Sequence, residues 1–315
     1  MKTSIPSHRK DKIKRMVLPG FEGATLSNVI KFIIQGFSKG VLVTRASSIA
    51  FNLLLALLPA SIFLFTLIPF IPIPNFQQEL IRLFESIIPS KAYSFLESTI
   101  IDVITRKSSG LLLFMFIATI VFSTNGIHAL IHSFVVSAHN FQSRSWVDQR
   151  KISVILLLII VLMIATAGFL LIYGKIAIAR LIEWHIVKRS LRFYLIRILK
   201  WIVIILLLFL AISFLYWLAP AKKSDFRFIS PGSILATILF ILTSLGFSAY
   251  VNNFGQYNKL YGSIGTLIVI LMWLYLNSIA LLIGFELNVS IKAAIAETPD
   301  GENYISYNED TQLQV

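Results

Sequence analysis

Two histidines four residues apart, His128 and His132, share a helix face with Asn125 inside a run that is otherwise apolar. Imidazoles at i and i+4 can chelate a metal. The zinc-protease pattern also needs a Glu beside the first His and a third ligand, and neither Ile127 nor Ala129 supplies that acid. Bonding across helices, or a position near the inner interface, is therefore expected of this trio, with a proton relay as the functional alternative. Neither a metal nor any other cofactor is expected. A second set, Arg45, Ser48, Asn52, Ala56 and Pro59, falls within about one third of a helix circumference. Pro59 removes a backbone donor and should kink its helix where a neighbour can satisfy the freed carbonyl. A kink turned inward would shape a cavity; the plainer reading is a packing seam with Asn52 as glue. Ser244, Ser248 and Asn252 make a third set, and Trp273, Asn277, Ala280, Gly284 and Asn288 a fourth. Glu286 is the one acid near membrane depth after the first loop. It either snorkels into headgroups or pairs with Arg45 at the opposite end of the apolar region of sequence.

These residues need elements to hold them, and the composition decides which. Of 315 residues 57% are apolar and 14% charged, against about 25% charged in soluble domains. A water-soluble globular fold is excluded. There is no cysteine, which excludes disulfides, thiolate nucleophiles and Cys-based zinc sites. Six runs lack Lys, Arg, Asp and Glu over a bilayer's thickness, at about residues 47–71, 110–135, 152–174, 201–219, 231–254 and 263–285. Runs such as Ile152 to Leu162 are apolar at nearly every position, so membrane β-strands, which alternate, do not fit. The expected fold class is an all-α membrane protein with six transmembrane helices in one bundle. The turn residues Gly255, Asn258 and Gly262 make the last two spans a hairpin.

Three domains are expected: a basic cytoplasmic N-terminal segment (1–27), a transmembrane domain (28–292) and an acidic polar cytoplasmic tail (293–315). Residues 26–43 show Val29, Ile33, Phe37 and Val41 at helical spacing, as in an amphipathic interfacial helix before span one. Two further amphipathic helices are expected in the first outer loop, within residues 72–109. The first apolar run starts too far in to be a cleavable signal, so the amino terminus should be kept. Six spans return both termini to one side, and 16 Lys and Arg inside against 12 outside favour cytoplasmic termini. The seven basic residues between Lys175 and Lys200 run against that rule unless this third loop lies as an interfacial helix on anionic headgroups.

The segments "RASSIAFNLLLALLPASIFLFTLIPF", "LYWLAPAKKSDFRFISPGSILATILF" and "YGSIGTLIVILMWLYLNSIALLIGFELN" resemble the YihY/BrkB family of bacterial inner-membrane proteins, over roughly residues 28–292. The likeness is carried by Ala46, Ala50, Leu58 and Pro59 in the first span and by Tyr261, Gly262, Trp273, Tyr275, Gly284 and Glu286 in the last. Where the family's second span usually ends with an Asn and a Trp, this chain has Ala129 and His132. The resemblance implies six helices in the inner (cytoplasmic) membrane with both termini in the cytoplasm. Labels used in that family include ribonuclease BN, yet hydrolysis of a phosphodiester needs positioned carboxylates or His around a metal, or an equivalent acid and base. The acids here are scattered, and there is no Ser/His/Asp order, metal-site spacing or Gly-rich phosphate loop.

No enzymatic activity is therefore expected. The first functional expectation is transport or flipping of a lipid-like or amphipathic envelope component, through a cavity lined by Asn52, His128, Ser244, Ser248 and Asn277. The alternative is a non-catalytic membrane- or envelope-organising protein that binds partners or anionic lipid. Expected partners are membrane lipids, anionic ones included, and a second copy of the chain, since it is short for a transporter. Nucleic acid is not among them.

Overall fold

The computed structural model describes residues 41–71, 105–137, 145–183, 192–220, 227–253 and 257–296, with short stretches within 25–31, 77–82 and 101–102. Six long helices account for most of these: α1 (Val41–Leu67), α2 (Ser109–Ser137), α3 (Trp146–Glu183), α4 (Arg192–Leu218), α5 (Pro231–Asn253) and α6 (Tyr257–Ala296). Runs of Ile, Val and Leu that would suit strands in water become helices here. In lipid every backbone N–H and C=O must be satisfied within its own segment, and a helix does so. All six are long and apolar enough to cross a bilayer, and no strand occurs among the described residues.

The chain divides into two compact units. One comprises Phe51–Gly126, with most of α1 and α2. The two helices approach closely at Gly126, where a Cβ would sit 3.1 Å from the Leu53 side chain, and further along Phe63 and Phe116 pack with ring centroids 5.5 Å apart. These pairings make the two helices antiparallel. The α1 helix continues through Pro59, which is buried, to Leu67 and ends in a 3-10 turn at Ile68–Phe70.

The other unit holds the start of α1, the end of α2, and α3 to α6. Within it α3 packs on α4, α4 on α5 and α5 on α6. The last pair forms the expected hairpin, with a shorter link than expected: α5 ends at Asn253 and α6 starts at Tyr257, so Asn258 and Gly262 are helical instead of part of the turn. The region between spans three and four differs from the expected interfacial loop. Helix α3 runs on to Glu183 and α4 starts at Arg192, so Lys175, Arg180, Arg197 and Lys200 lie on helical extensions of the spans. At about 1.5 Å per residue, the 38 residues of α3 reach well beyond a hydrocarbon core of about 30 Å. Helix propensity and hairpin packing carry the backbone on after the hydrophobic run ends. The approach of Gly174 to Leu199 marks that packing, because a Cβ at Gly174 would meet the Leu199 side chain.

Residues 28–31 of the expected first interfacial helix are helical and Val29 is buried. The rest of that helix, most of the loop 72–104, residues 1–24 and the tail 297–315 lie outside the described residues.

Candidate functional site

The residues with functional chemistry collect at one end of the larger unit, where α1 begins, α2 and α4 finish, α5 begins and α6 runs out. Arg45 is 8% exposed and Glu286 4%. The Arg45 guanidinium donates from Nη1 to the Ser133 carbonyl oxygen of α2 at 3.0 Å, and the Glu286 carboxylate lies within Coulombic reach of it. Two ionisable groups from opposite ends of the transmembrane sequence are thus both buried and within Coulombic reach of one another. An isolated charge there would be costly, so each is held by what surrounds it. Ser213 of α4 is fully buried nearby in the fold, at the same end of its helix.

Aromatic packing walls this site. Phe134 and Phe285 stack at 4.3 Å and 14°, and Tyr216 meets both edge-on at 5.5 and 5.6 Å. The Tyr216 hydroxyl donates to the Leu281 carbonyl oxygen of α6 at 2.5 Å. Tyr216 and Phe134 have no measurable exposure. An aromatic with a polar tip is buried only where that tip finds an acceptor, and here it ties α4 to α6.

The start of α5 is built into the same end. Ser230 and Pro231 open the helix: Ser233 N–H donates to Ser230 Oγ at 3.1 Å, Ser230 N–H returns to Ser233 Oγ at 3.1 Å, and Pro231 sits where a helix needs no donor. Asn288 of α6 clamps this turn. Its Oδ1 accepts from Gly232 N–H at 2.8 Å and its Nδ2 donates to Ser230 Oγ at 2.9 Å. The clamp requires two glycines. A Cβ on Gly232 would collide with the Gly284 carbonyl and the Asn288 side chain, and one on Gly284 with the Gly232 carbonyl, Ala236 and the Tyr216 hydroxyl.

Halfway along the α5–α6 pair lies a separate polar seam. The Trp273 indole N–H donates to Ser244 Oγ at 3.2 Å, Thr243 and Ser244 hydroxyls donate to Asn277 Oδ1 at 3.0 and 3.4 Å, and Asn277 Nδ2 donates to the Trp273 carbonyl at 2.9 Å. Ser244 and Asn277 therefore bond one another, and Asn277 is buried. Ser248, one turn beyond, is exposed, and the side chain of Asn252 in the last turn of α5 lies outside the described ones.

The remaining predicted residues divide by unit. Asn52 and Asn125 are half-buried and engaged in contacts, and Pro59 is buried, all in the smaller unit. His128 and His132 belong to the larger unit, with ring centroids 6.4 Å apart. His128 is half-buried and His132 exposed. The structure thus buries Arg45 and Glu286 within Coulombic reach of one another, hydrogen-bonds Ser244 to Asn277, and holds the two histidines as a third group. Sequence reasoning missed Ser133, Ser213, Tyr216, Ser230 and Gly232. The Ser-Pro-Gly-Ser string at 230–233 carried a helix-start signal, and Ser213 with Tyr216 recurs at helical spacing.

Comparison with known proteins places this arrangement. The sequence profile of the family described as Virulence factor BrkB matches residues 33–304. The ribonuclease-like protein YfkH of Bacillus subtilis (strain 168) is 33% identical over 245 residues, 78% of this chain and 88% of that protein. A UPF0761 membrane protein of Coxiella burnetii (strain Dugway 5J108-111) is 24% identical over 287 residues, 85% and 94% of the two chains. A UPF0761 membrane protein of Pseudoalteromonas translucida (strain TAC 125) is 37% identical over a shorter stretch of 89 residues, 28% of this chain and 30% of that one. No solved structure matches. With most of its length matched by one profile, and with the last span's Gly284 and Glu286 at the buried end of α6, this multi-pass membrane protein belongs to the Virulence factor BrkB family.

Proposed function

We propose that the protein moves a lipid-like or amphipathic envelope component across, or between the leaflets of, the bacterial inner membrane, with both termini in the cytoplasm. The observation that carries this reading is the burial of Arg45 and Glu286 together at membrane depth. Charges inside a membrane protein are expensive and mark pathways or switches by default. A packed apolar end would hold the helices together more cheaply. The hydrogen-bonded Arg45 end then acts as the closed side of the molecule, and the opposite halves of α4 to α6, with large apolar side chains exposed, offer a surface for acyl chains. In this reading the chain is not an enzyme and does not bind nucleic acid. In this reading the ribonuclease-like description of YfkH does not carry over to this chain; among the described residues no cluster of three or more metal-ligating side chains occurs. Membrane lipids are its partners, and self-association completes the pathway that a short chain cannot enclose alone.

The test is lipid movement in proteoliposomes. Reconstituted protein is expected to make an inner-leaflet fluorescent phospholipid accessible to an impermeant quencher faster than protein-free vesicles do. Glu286→Gln should slow that movement at least about tenfold, roughly 1.4 kcal/mol on the rate, while eluting as the same folded species. Movement no faster than in empty vesicles would overturn the proposal. A second reading, an organiser of membrane or envelope components, is favoured by the exposed bases Arg180, Arg197 and Lys200 on the extensions of α3 and α4. Recovery of one defined partner lost on replacing those bases, without any lipid movement, would select it.

A further inference from the structure

Helices α5 and α6 are held together at three levels, and the three differ in kind. At one end the chain itself ties them: α5 ends at Asn253 and α6 starts at Tyr257, and so few residues span at most about 14 Å even when fully extended. Halfway along, the seam of Thr243, Ser244, Trp273 and Asn277 bonds helix to helix. At the Arg45 end the chain supplies no link, since α5 is reached from α4 and α6 runs on to Ala296. There the Asn288 amide holds the pair, on Gly232 N–H and Ser230 Oγ.

That clamp is not needed to start α5. Ser230 and Ser233 each donate N–H to the other's Oγ, and the Ser233 hydroxyl has the Ser230 carbonyl at 2.9 Å, so the first turn is capped from within. The two bonds of Asn288 therefore serve the junction between the helices. They also lie at the edge of the membrane-spanning part: the apolar span of α5 begins at Pro231, and Arg227, four residues earlier, is exposed. When Asn288 leaves, Gly232 N–H, Ser230 Oγ and the amide itself can take water, and no donor is orphaned. In the seam the same separation would strand Asn277 and Trp273 in hydrocarbon. Next to the clamp the helices touch through small groups, Gly232 and Ala236 against Gly284. A surface without interlocked side chains can part and rejoin without repacking. Behind it stands the Tyr216 hydroxyl, beside Gly284, with the aromatic wall of Phe134 and Phe285.

We propose that the Asn288 clamp is a latch, and that α5 and α6 part at the Arg45 end to open a path from the membrane edge to Tyr216 while the seam and the link stay closed. As a gate for an amphipathic headgroup it rests on the transport reading; the opening itself is measurable without lipid movement.

The chain contains no cysteine, so a single introduced one reports accessibility. Ala236 has no measurable exposure and faces Gly284. In nanodiscs Ala236→Cys should react slowly with a membrane-impermeant maleimide, at a rate set by the open population. Asn288→Ala should raise that rate at least about fivefold, the factor for losing one or two net hydrogen bonds. Ala50→Cys, buried in α1, should react no faster in the same background. Thr237→Cys, nearly isosteric and 5% exposed, takes the place of Ala236→Cys should that variant not fold. An unchanged rate in folded Asn288→Ala would overturn the latch, and so would an equal rise at Ala50→Cys, which would mean general loosening. A second test locks the clamp. Ser230→Cys with Asn288→Cys, where the parent side chains approach to 2.9 Å, should stop lipid movement in proteoliposomes when oxidised and restore it when reduced. Gly174→Cys with Leu199→Cys, cross-linked between α3 and α4, should leave movement unchanged. Movement that persists through a locked clamp would overturn the gate and leave the transport reading standing. A parent protein that moves no lipid would overturn that reading, and the labelling rates then decide the latch.

Discussion

Helices α4, α5 and α6 change character along their length. Toward the Arg45 end, Ser213, Tyr216, Gly232, Ala236, Phe285 and Asn288 are buried; toward the other end, Leu206, Leu242, Leu245, Tyr250, Ile268 and Met272 are exposed. The buried half holds Gly, Ala, Ser and Asn beside Tyr216 and Phe285, whereas the exposed side chains named at the other end are large and mostly apolar, as a lipid-facing surface allows. Lipid tails are as apolar as leucine, so large aliphatic side chains gain little by leaving them. Backbones approach where Gly and Ala allow it, and polar groups draw helices together because a neighbour is their only partner. The α5–α6 pair shows the transition: it is clamped by Asn288 on Gly232, still bonded at Asn277, and opened to exposed residues beyond Ser244.

If small and polar residues specify the packed half, disturbing them should cost most. The largest effect is expected at the buried charges. Glu286→Leu leaves Arg45 without the acid that acts on it, and breaking such a pair costs about 3–5 kcal/mol. Arg45→Met with Glu286→Leu should recover much of that loss, since apolar replacement of a whole buried pair is often neutral. Thermal unfolding in detergent micelles, read as a double-mutant cycle, checks both, and simple additivity would show that the two residues do not interact. Next in size is Gly284→Val. Its side chain has no space between Gly232, Ala236 and Tyr216, and overpacking of this kind costs about 1–3 kcal/mol. A valine protein as stable as the parent would mean that the helices separate there without penalty.

Much of this architecture was legible in the sequence. Six charge-free runs gave the helices, and the short gap between the last two gave the α5–α6 hairpin, although Asn258 and Gly262, expected in its turn, lie inside α6. Trp273, Asn277, Ala280, Gly284 and Asn288 recur at helical spacing, and that face is the one α5 covers. Arg45 and Glu286 could be set at one depth because an even number of crossings leaves them at the same end. The helical extensions of α3 and α4 were not legible. A hydropathy run marks where lipid stops, whereas a helix ends where its backbone bonds or its packing do, as Gly174 on Leu199 indicates. Nor was the aromatic wall legible. Among 25 phenylalanines nothing in the sequence singles out Phe134 and Phe285, because their pairing depends on how three helices rotate about their axes.

Smaller effects separate the clamp from the seam and both from the open half. Asn288→Leu removes an acceptor from Gly232 N–H and a donor from Ser230, and should cost about 1–2 kcal/mol, in the range of a lost helix cap. Asn277→Leu acts within a seam in which the Thr243 hydroxyl also has the Leu239 carbonyl of its own helix at 2.7 Å. Hydrogen bonds between membrane helices average about 0.6 kcal/mol, and this substitution should cost no more than about 1 kcal/mol. Asn288→Leu is therefore expected to lower the unfolding midpoint further than Asn277→Leu.

The smallest effect is expected at Leu242→Ala and Ile238→Ala, on the exposed face of α5. If those side chains meet lipid, shortening them creates no cavity in protein, and the change should stay within about 0.5 kcal/mol. A loss of several kcal/mol in the large-to-small range would mean that the face is covered in the assembled protein. Measured in dilute detergent and again in bilayers at high protein density, that loss would appear only where the chains associate. The pair of measurements thus distinguishes a surface kept open for acyl chains from one that a second copy of the chain occupies.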